Sequence, residues 1–168
     1  GIAVFDSSGN VVRGNVVRYN QSGIRLTVGS SDNLIENNIA SDNTKYGLYT
    51  YKGSDLPTSG DGKVRGNTFR GNTVENNTGF GAQLLEADTN VFTGNIFRGN
   101  NGGVYLGSMT PTGNRFSGNT IADNGTGYHN MKLDRDSGTI VEDNAVSGSK
   151  FGIILSGSRG AILENNTV

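Results

Sequence analysis

The sequence predicts an all-β solenoid: a single-stranded right-handed parallel β-helix of about seven coils of roughly 23 residues. Three observations predict it. An asparagine-centred phrase recurs along the chain, a glycine-led strand phrase recurs between its copies, and Gly and Asn supply 27 and 22 of the 168 residues. Self-similarity at a fixed period of ~20–50 residues is the mark of a repeat architecture. Gly and Asn are poor helix formers, so a helical repeat is disfavoured.

The recurring asparagine is Asn15, Asn38, Asn72, Asn95, Asn119, Asn144 and Asn166, at steps of 23, 34, 23, 24, 25 and 22 residues. A second row follows it by five: Asn20, Asn43, Asn77, Asn100 and Asn124, with Ser149 in the sixth copy. A third precedes it by five: Asn10, Asn33, Asn67, Asn90 and Asn114, then Thr139 and Ala161. Between copies lies a strand phrase, seen in Gly23-Ile24-Arg25-Leu26, Gly47-Leu48-Tyr49-Thr50, Gly81-Ala82-Gln83-Leu84, Gly103-Val104-Tyr105-Leu106, Asn130-Met131-Lys132-Leu133 and Gly152-Ile153-Ile154-Leu155. Three short strands per repeat make one coil, and coils stack ~4.8 Å apart. In the second coil Ile24, Leu26, Leu34 and Ile39 are expected to point inward. Asn suits the turns because it tolerates left-handed backbone angles and its amides hydrogen-bond along a stack, as in other stacked-strand structures. Stacked Asp carboxylates would repel. Right-handed winding follows from the preference of parallel crossovers.

Bulk composition excludes several functions. The formal charge is −1, there is no Cys and there is one His. Disulfides, thiolate zinc sites and multi-His metal sites are therefore absent. No clustered Lys/Arg run offers a phosphate-binding surface, so nucleic acid is not an expected partner. No run of 18 apolar residues exists, so no membrane-spanning helix is expected.

Two irregularities stand out. The 34-residue step places about eleven extra residues within 51–66, a stretch holding Pro57 and four Gly, which reads as a loop projecting from the coil. It is either a tolerated surface insertion or a wall beside a binding groove. The chain also opens on a strand phrase and stops in mid-coil, with no capping helix legible at either end. Residues 1–168 are accordingly expected to form a single β-helix domain that belongs to a longer β-helix or stacks end to end with a partner.

The outward residues of the strand phrases form one row, Ala3, Arg25, Tyr49, Gln83, Tyr105, Lys132 and Ile154. A second row is Phe5, Thr27, Tyr51, Leu85, Gly107, Asp134 and Ser156. The middle of this face presents Tyr49, Tyr51, Gln83, Tyr105, Lys132 and Asp134, next to the inserted loop. Tyrosine offers a flat apolar ring and a polar tip suited to sugar faces, and Lys, Arg and Gln bind carboxylates and hydroxyls. Arg25, Tyr49, Tyr51, Gln83 and Asp134 are thus candidate substrate-binding residues for a polysaccharide. Outward strand positions also favour Tyr and Thr for reasons of strand propensity alone.

The repeats resemble the right-handed parallel β-helix repeat family, through phrases such as Gly94-Asn95-Ile96-Phe97-Arg98-Gly99-Asn100. That family includes mannuronan epimerases, polysaccharide lyases and surface proteins without known catalysis, and fold does not select among them. The resemblance implies an extracellular or periplasmic protein acting on an acidic polysaccharide. Its uronate-active members imply proton abstraction at carbon five, which requires a base, an acid and neutralisation of the carboxylate. Lys132 or His129 is the candidate base and Tyr105 the candidate acid. Arg25 or Arg135 would neutralise charge, or a Ca²⁺ held by Asp134 and Asp136, although two carboxylates are a thin ligand set for that ion. No cofactor is otherwise expected. The Asp-Pro-His signature of the epimerases is absent: Pro57 and Pro111 both precede Thr, and His129 follows Tyr128, at a coil junction two residues longer than that of the fourth coil. The competing expectation is a non-catalytic structural module that assembles through its ends.

Overall fold

The computed structural model of the chain describes residues 1–107, 110–125 and 129–168. The described residues form strands, turns and bends, with no helix. Every strand pairs in parallel with its equivalent one coil away. The first sheet runs Ile2–Phe5, Ser22–Thr27, Tyr46–Tyr51, Phe80–Leu85, Gly102–Gly107, His129–Asp134 and Phe151–Ser156. The second runs from Val11–Arg13 to Ile162–Glu164, and the third from Val16–Arg18 to Ala145–Ser147. A small fourth pair, Val64–Arg65 with Ala87–Asp88, joins the first sheet to the second. This is the predicted parallel solenoid.

The core is a set of stacked columns. Ile24, Leu48, Ala82, Val104 and Met131 stack inside the first sheet, and Leu26, Leu84, Leu106 and Leu133 beside them. Phe69, Phe92 and Phe116 line the second sheet, with ring centroids 4.3 and 4.7 Å apart. Ile24 and Leu26 point inward as expected, but Leu34 is half-buried and Ile39 exposed; Ile35 and Ala40 take the inward places. The reason is parity. The ladder residues Asn33 and Asn38 are themselves buried, so the next inward residue comes two positions later.

The asparagine rows are continuous hydrogen-bonded ladders. In the middle row, Asn72 donates its backbone N–H and its Nδ2 to Asn95 Oδ1, both at 2.9 Å, and Asn95 does the same to Asn119 at 2.9 and 3.0 Å. Asn95 Nδ2 also donates to the Phe69 carbonyl at 2.9 Å. Each amide therefore needs both an acceptor oxygen and two donor hydrogens, which Asp lacks. The left-handed backbone angle falls on the residue before the ladder asparagine, as at Asp32 (φ 54°), Asn37 (φ 53°) and Gly94 (φ 61°), and not on the asparagine itself. That place suits Gly, Asn and Asp because the left-handed region costs them least. Where Ser149 replaces the sixth asparagine of the second row, Asn130 reaches in from the strand and accepts the Asn124 Nδ2 donation at 2.9 Å.

Candidate functional site

The outer surfaces of the three sheets differ in chemistry. Sheets two and three carry ion pairs across coils, Glu36 with Arg13 and Arg70, Glu75 with Arg98, and Glu142 with Arg115. The first sheet carries aromatic rings. Its register stacks Ala3, Arg25, Tyr49, Gln83, Tyr105, Lys132 and Ile154 in one row, as the strand phrases predict. Phe5, Thr27 and Tyr51 align in the second row, as do Leu85 with Gly107 and Asp134 with Ser156.

A third outward row contains His129, the candidate base, together with Tyr46 and Phe80, which the strand phrases leave out. Each directly precedes the first residue of a strand phrase, Gly47, Gly81 and Asn130, which is the signal that would have found Tyr46 and Phe80. Tyr46, Tyr49 and Tyr51 form a continuous stack, with centroids 4.8 and 5.9 Å apart. Phe80 lies between Tyr105 at 5.3 Å and His129 at 5.8 Å. Two glycines make room for these rings. A Cβ on Gly102 would collide with the Phe80 ring, and one on Gly107 with the Tyr105 hydroxyl. The rings consequently lie flat along the sheet, and the Tyr105 hydroxyl reaches Asp134 Oδ2 at 3.1 Å.

The candidate catalytic residues gather on neighbouring strands. Lys132 Nζ sits 5.8 Å from the Tyr105 ring centroid, and Arg135 lies 3.8 Å from Asp134. Burial, and then the hydrogen bond to Asp134, raise the Tyr105 hydroxyl above its ordinary value, so it stays protonated as a donor. His129 opens the strand His129–Asp134 and is buried, rather than standing at the coil junction; Tyr128 lies outside the described residues. Burial, then the charge of Lys132, lower the His129 imidazole, which is therefore neutral near pH 7.

Other candidates separate. Arg25 belongs to the second coil and Tyr105 to the fifth, roughly 14 Å apart at ~4.8 Å per coil. Arg25 cannot neutralise a carboxylate held at Tyr105 and Lys132, whereas Arg135 adjoins them. Asp134 and Asp136 are engaged apart: Asp134 accepts the Tyr105 hydroxyl, and the buried Asp136 accepts the Thr139 hydroxyl at 2.6 Å. No group of three or more His, Asp or Glu side chains that could hold a metal ion exists among the described residues. Burial raises the Asp136 carboxyl.

The inserted segment shortens to residues 52–63, because Tyr51 ends one strand and Val64 begins another. It folds back toward the first coil. The Thr58 N–H donates to Asp6 Oδ2 at 2.9 Å, Asp61 is held by both terminal nitrogens of Arg65, and Gly53 packs against Val28. The loop thus walls one side of the tyrosine stack. Between wall and strands lies a cleft of ≈ 150 Å³ lined by residues that include Phe5, Arg25, Thr27, Tyr51 and Asp55.

The family model described as "Right handed beta helix region" matches residues 1–73 and 57–168. No curated protein matches the chain. Among solved structures, the chain is similar to the A-module of Azotobacter vinelandii mannuronan C-5 epimerase AlgE6, with TM-score 0.73 and 19% identity, over 98% of this chain and 51% of that one. The AlgE4 A-module from the same organism gives TM-score 0.70 and 17% identity, over 98% and 52%. The chain spans about half the length of these structures, and the likeness is one of fold.

Proposed function

The chain belongs to the right-handed β-helix family, and we propose that it binds an acidic polysaccharide along the outward face of its first sheet, outside the cytoplasm, as part of a uronate epimerase or lyase. One observation carries the reading. Four buried side-chain polar atoms lack a hydrogen-bond partner among the described residues: Thr27 Oγ1, Thr50 Oγ1, Gln83 Oε1 and His129 Nε2. Thr50 faces the core. The other three lie on the aromatic face, spread along its length. Unpaired buried polar atoms are costly in a folded protein, and their concentration under one aromatic surface fits a face completed by a hydroxyl-rich ligand. The likeness to structures named mannuronan C-5 epimerase adds support.

The second aromatic group suits the chemistry. Glycan binding uncovers the buried Nε2 of neutral His129, which then takes the carbon-five proton, while Lys132 and Arg135 neutralise the adjacent carboxylate. In elimination, the freed electron pair forms the double bond to carbon four, the bond from carbon four to the glycosidic oxygen breaks, and Tyr105 protonates that oxygen. In epimerisation, Tyr105 returns a proton to the opposite face of carbon five. No sequence signature assigns these roles; the nearness of Phe80 to Tyr105 and His129, and of Lys132 to Tyr105, supports them.

Proton NMR of a panel of uronic-acid polysaccharides in deuterated buffer, with and without Ca²⁺, tests the reading. The expected result is deuterium at carbon five or an unsaturated sugar end, with the rate falling at least about a hundredfold in His129→Ala. A bound but unchanged polysaccharide would remove the catalytic part and leave a binding module.

A further inference from the structure

The cleft beside the inserted loop lies well away from the Tyr105 group and plays no part in the chemistry above. Its floor holds Thr27, a residue on the outward row yet only 3% exposed, whose Oγ1 has no hydrogen-bond partner among the described residues. Thr50, the other unpartnered threonine, faces the apolar core and serves no ligand; Thr27 lines an open cleft. Rotation about χ1 between staggered positions exchanges its methyl and hydroxyl groups. Around it stand an exposed Arg25 without an ion pair among the described residues, the 46%-exposed ring of Phe5, the half-buried ring of Tyr51, and Asp55 on the loop.

We propose that this cleft is a subsite for a single carboxylated sugar ring, formed by the strand face and closed on its outer side by the loop. Arg25 holds the carboxylate through its forked nitrogens. Phe5 and Tyr51 contact the apolar face of the ring. Thr27 Oγ1 and Asp55 take ring hydroxyls, and the Asp6–Thr58 contact keeps the wall in place. The subsite rests on the reading that the first sheet binds an acidic glycan, and it adds where that glycan is selected. It stands roughly three coils, about 14 Å, from Tyr105. A monosaccharide therefore occupies the cleft without reaching the His129 group, and only an oligosaccharide engages both.

Two probes and two variants test it: a uronic-acid hexasaccharide titrated by calorimetry, and methyl glucuronoside followed by the ring signals of Phe5 and Tyr51, with methyl glucoside as the uncharged control. Thr27→Val keeps the shape and removes the hydroxyl; Arg25→Gln is an exposed change that leaves the core untouched. The hexasaccharide affinity is expected to fall about fivefold in Thr27→Val and about tenfold in Arg25→Gln. Methyl glucuronoside, and not methyl glucoside, is expected to shift Phe5 and Tyr51. Unchanged affinity in both variants, with wild-type hexasaccharide binding intact, would overturn the subsite and leave the groove standing. Shifts at Phe5 and Tyr51 without hexasaccharide binding would support the subsite and overturn the extended groove. Silence with every probe would overturn both.

Discussion

Asn95→Ala is expected to destabilise the protein by roughly 2–6 kcal/mol, from two buried donors left unpaired at about 1–3 kcal/mol each. Asn95 is fully buried in the middle of its ladder. Its Oδ1 is the acceptor for both the backbone N–H and Nδ2 of Asn72. Its Nδ2 serves Asn119 Oδ1 and the Phe69 carbonyl, so those acceptors also lose a donor. Water cannot replace these bonds without opening the turn. The measurement is a urea denaturation midpoint. Asn37→Gly, at an exposed left-handed position, is the control and is expected to change stability by less than about 1 kcal/mol. Asn95→Asp separates the roles of the amide: it keeps the acceptor and loses both donors. A carboxyl there has a raised pKa in the folded state, so stability is greatest at acid pH and is lost as pH rises from the unfolded value toward the folded one. That variant is expected to be more stable at pH 4 than at pH 7. Equal stability of wild type and Asn95→Ala would mean that the ladders are incidental to the fold.

The double change Tyr49→Ala and Tyr105→Ala is expected to weaken binding of a uronic-acid oligosaccharide by roughly tenfold to a hundredfold, from about 0.5–1.5 kcal/mol per ring plus lost contact area. The two rings anchor separate aromatic groups, Tyr49 between Tyr46 and Tyr51, and Tyr105 against Phe80. Both are only half-buried and outside the core, so the fold survives their loss and far-ultraviolet dichroism should be unchanged. Tyr19→Ala removes a 76%-exposed tyrosine that lies outside the first sheet and is expected to leave affinity at the wild-type value. If the double variant binds as tightly as the wild type, the tyrosines are outward strand residues and nothing more.

Period carries most of what was legible in the sequence. Steps near 23 residues set the coils, and the alternation within Gly23-Ile24-Arg25-Leu26 and its equivalents set the outward rows residue by residue. Parity at corners was not legible. Leu34 and Ile39 look like core residues until the preceding asparagines are known to be buried, which shifts the inward place to Ile35 and Ala40. The same parity hid Tyr46 and Phe80, which precede the strand phrases of Gly47 and Gly81. Asn130 stands where most strand phrases carry glycine, and in three dimensions it supplies the ladder amide that Ser149 lacks. Distance along the solenoid is legible in the period, since three coils separate Arg25 from Tyr105. The path of the inserted loop was not legible: its return to Asp6 crosses 52 residues of sequence.

The most direct test of the central proposal, that the first sheet's outward face binds an acidic glycan, is a solution NMR titration of the protein with a uronic-acid hexasaccharide, read at assigned amide and ring signals. The account predicts saturable shifts at Tyr46, Tyr49, Tyr51, Gln83, Tyr105, His129 and Lys132, with Val11, Ile96 and Arg98 on the other two sheets unmoved. Shifts confined to the second or third sheet, or none at saturating glycan, would contradict it.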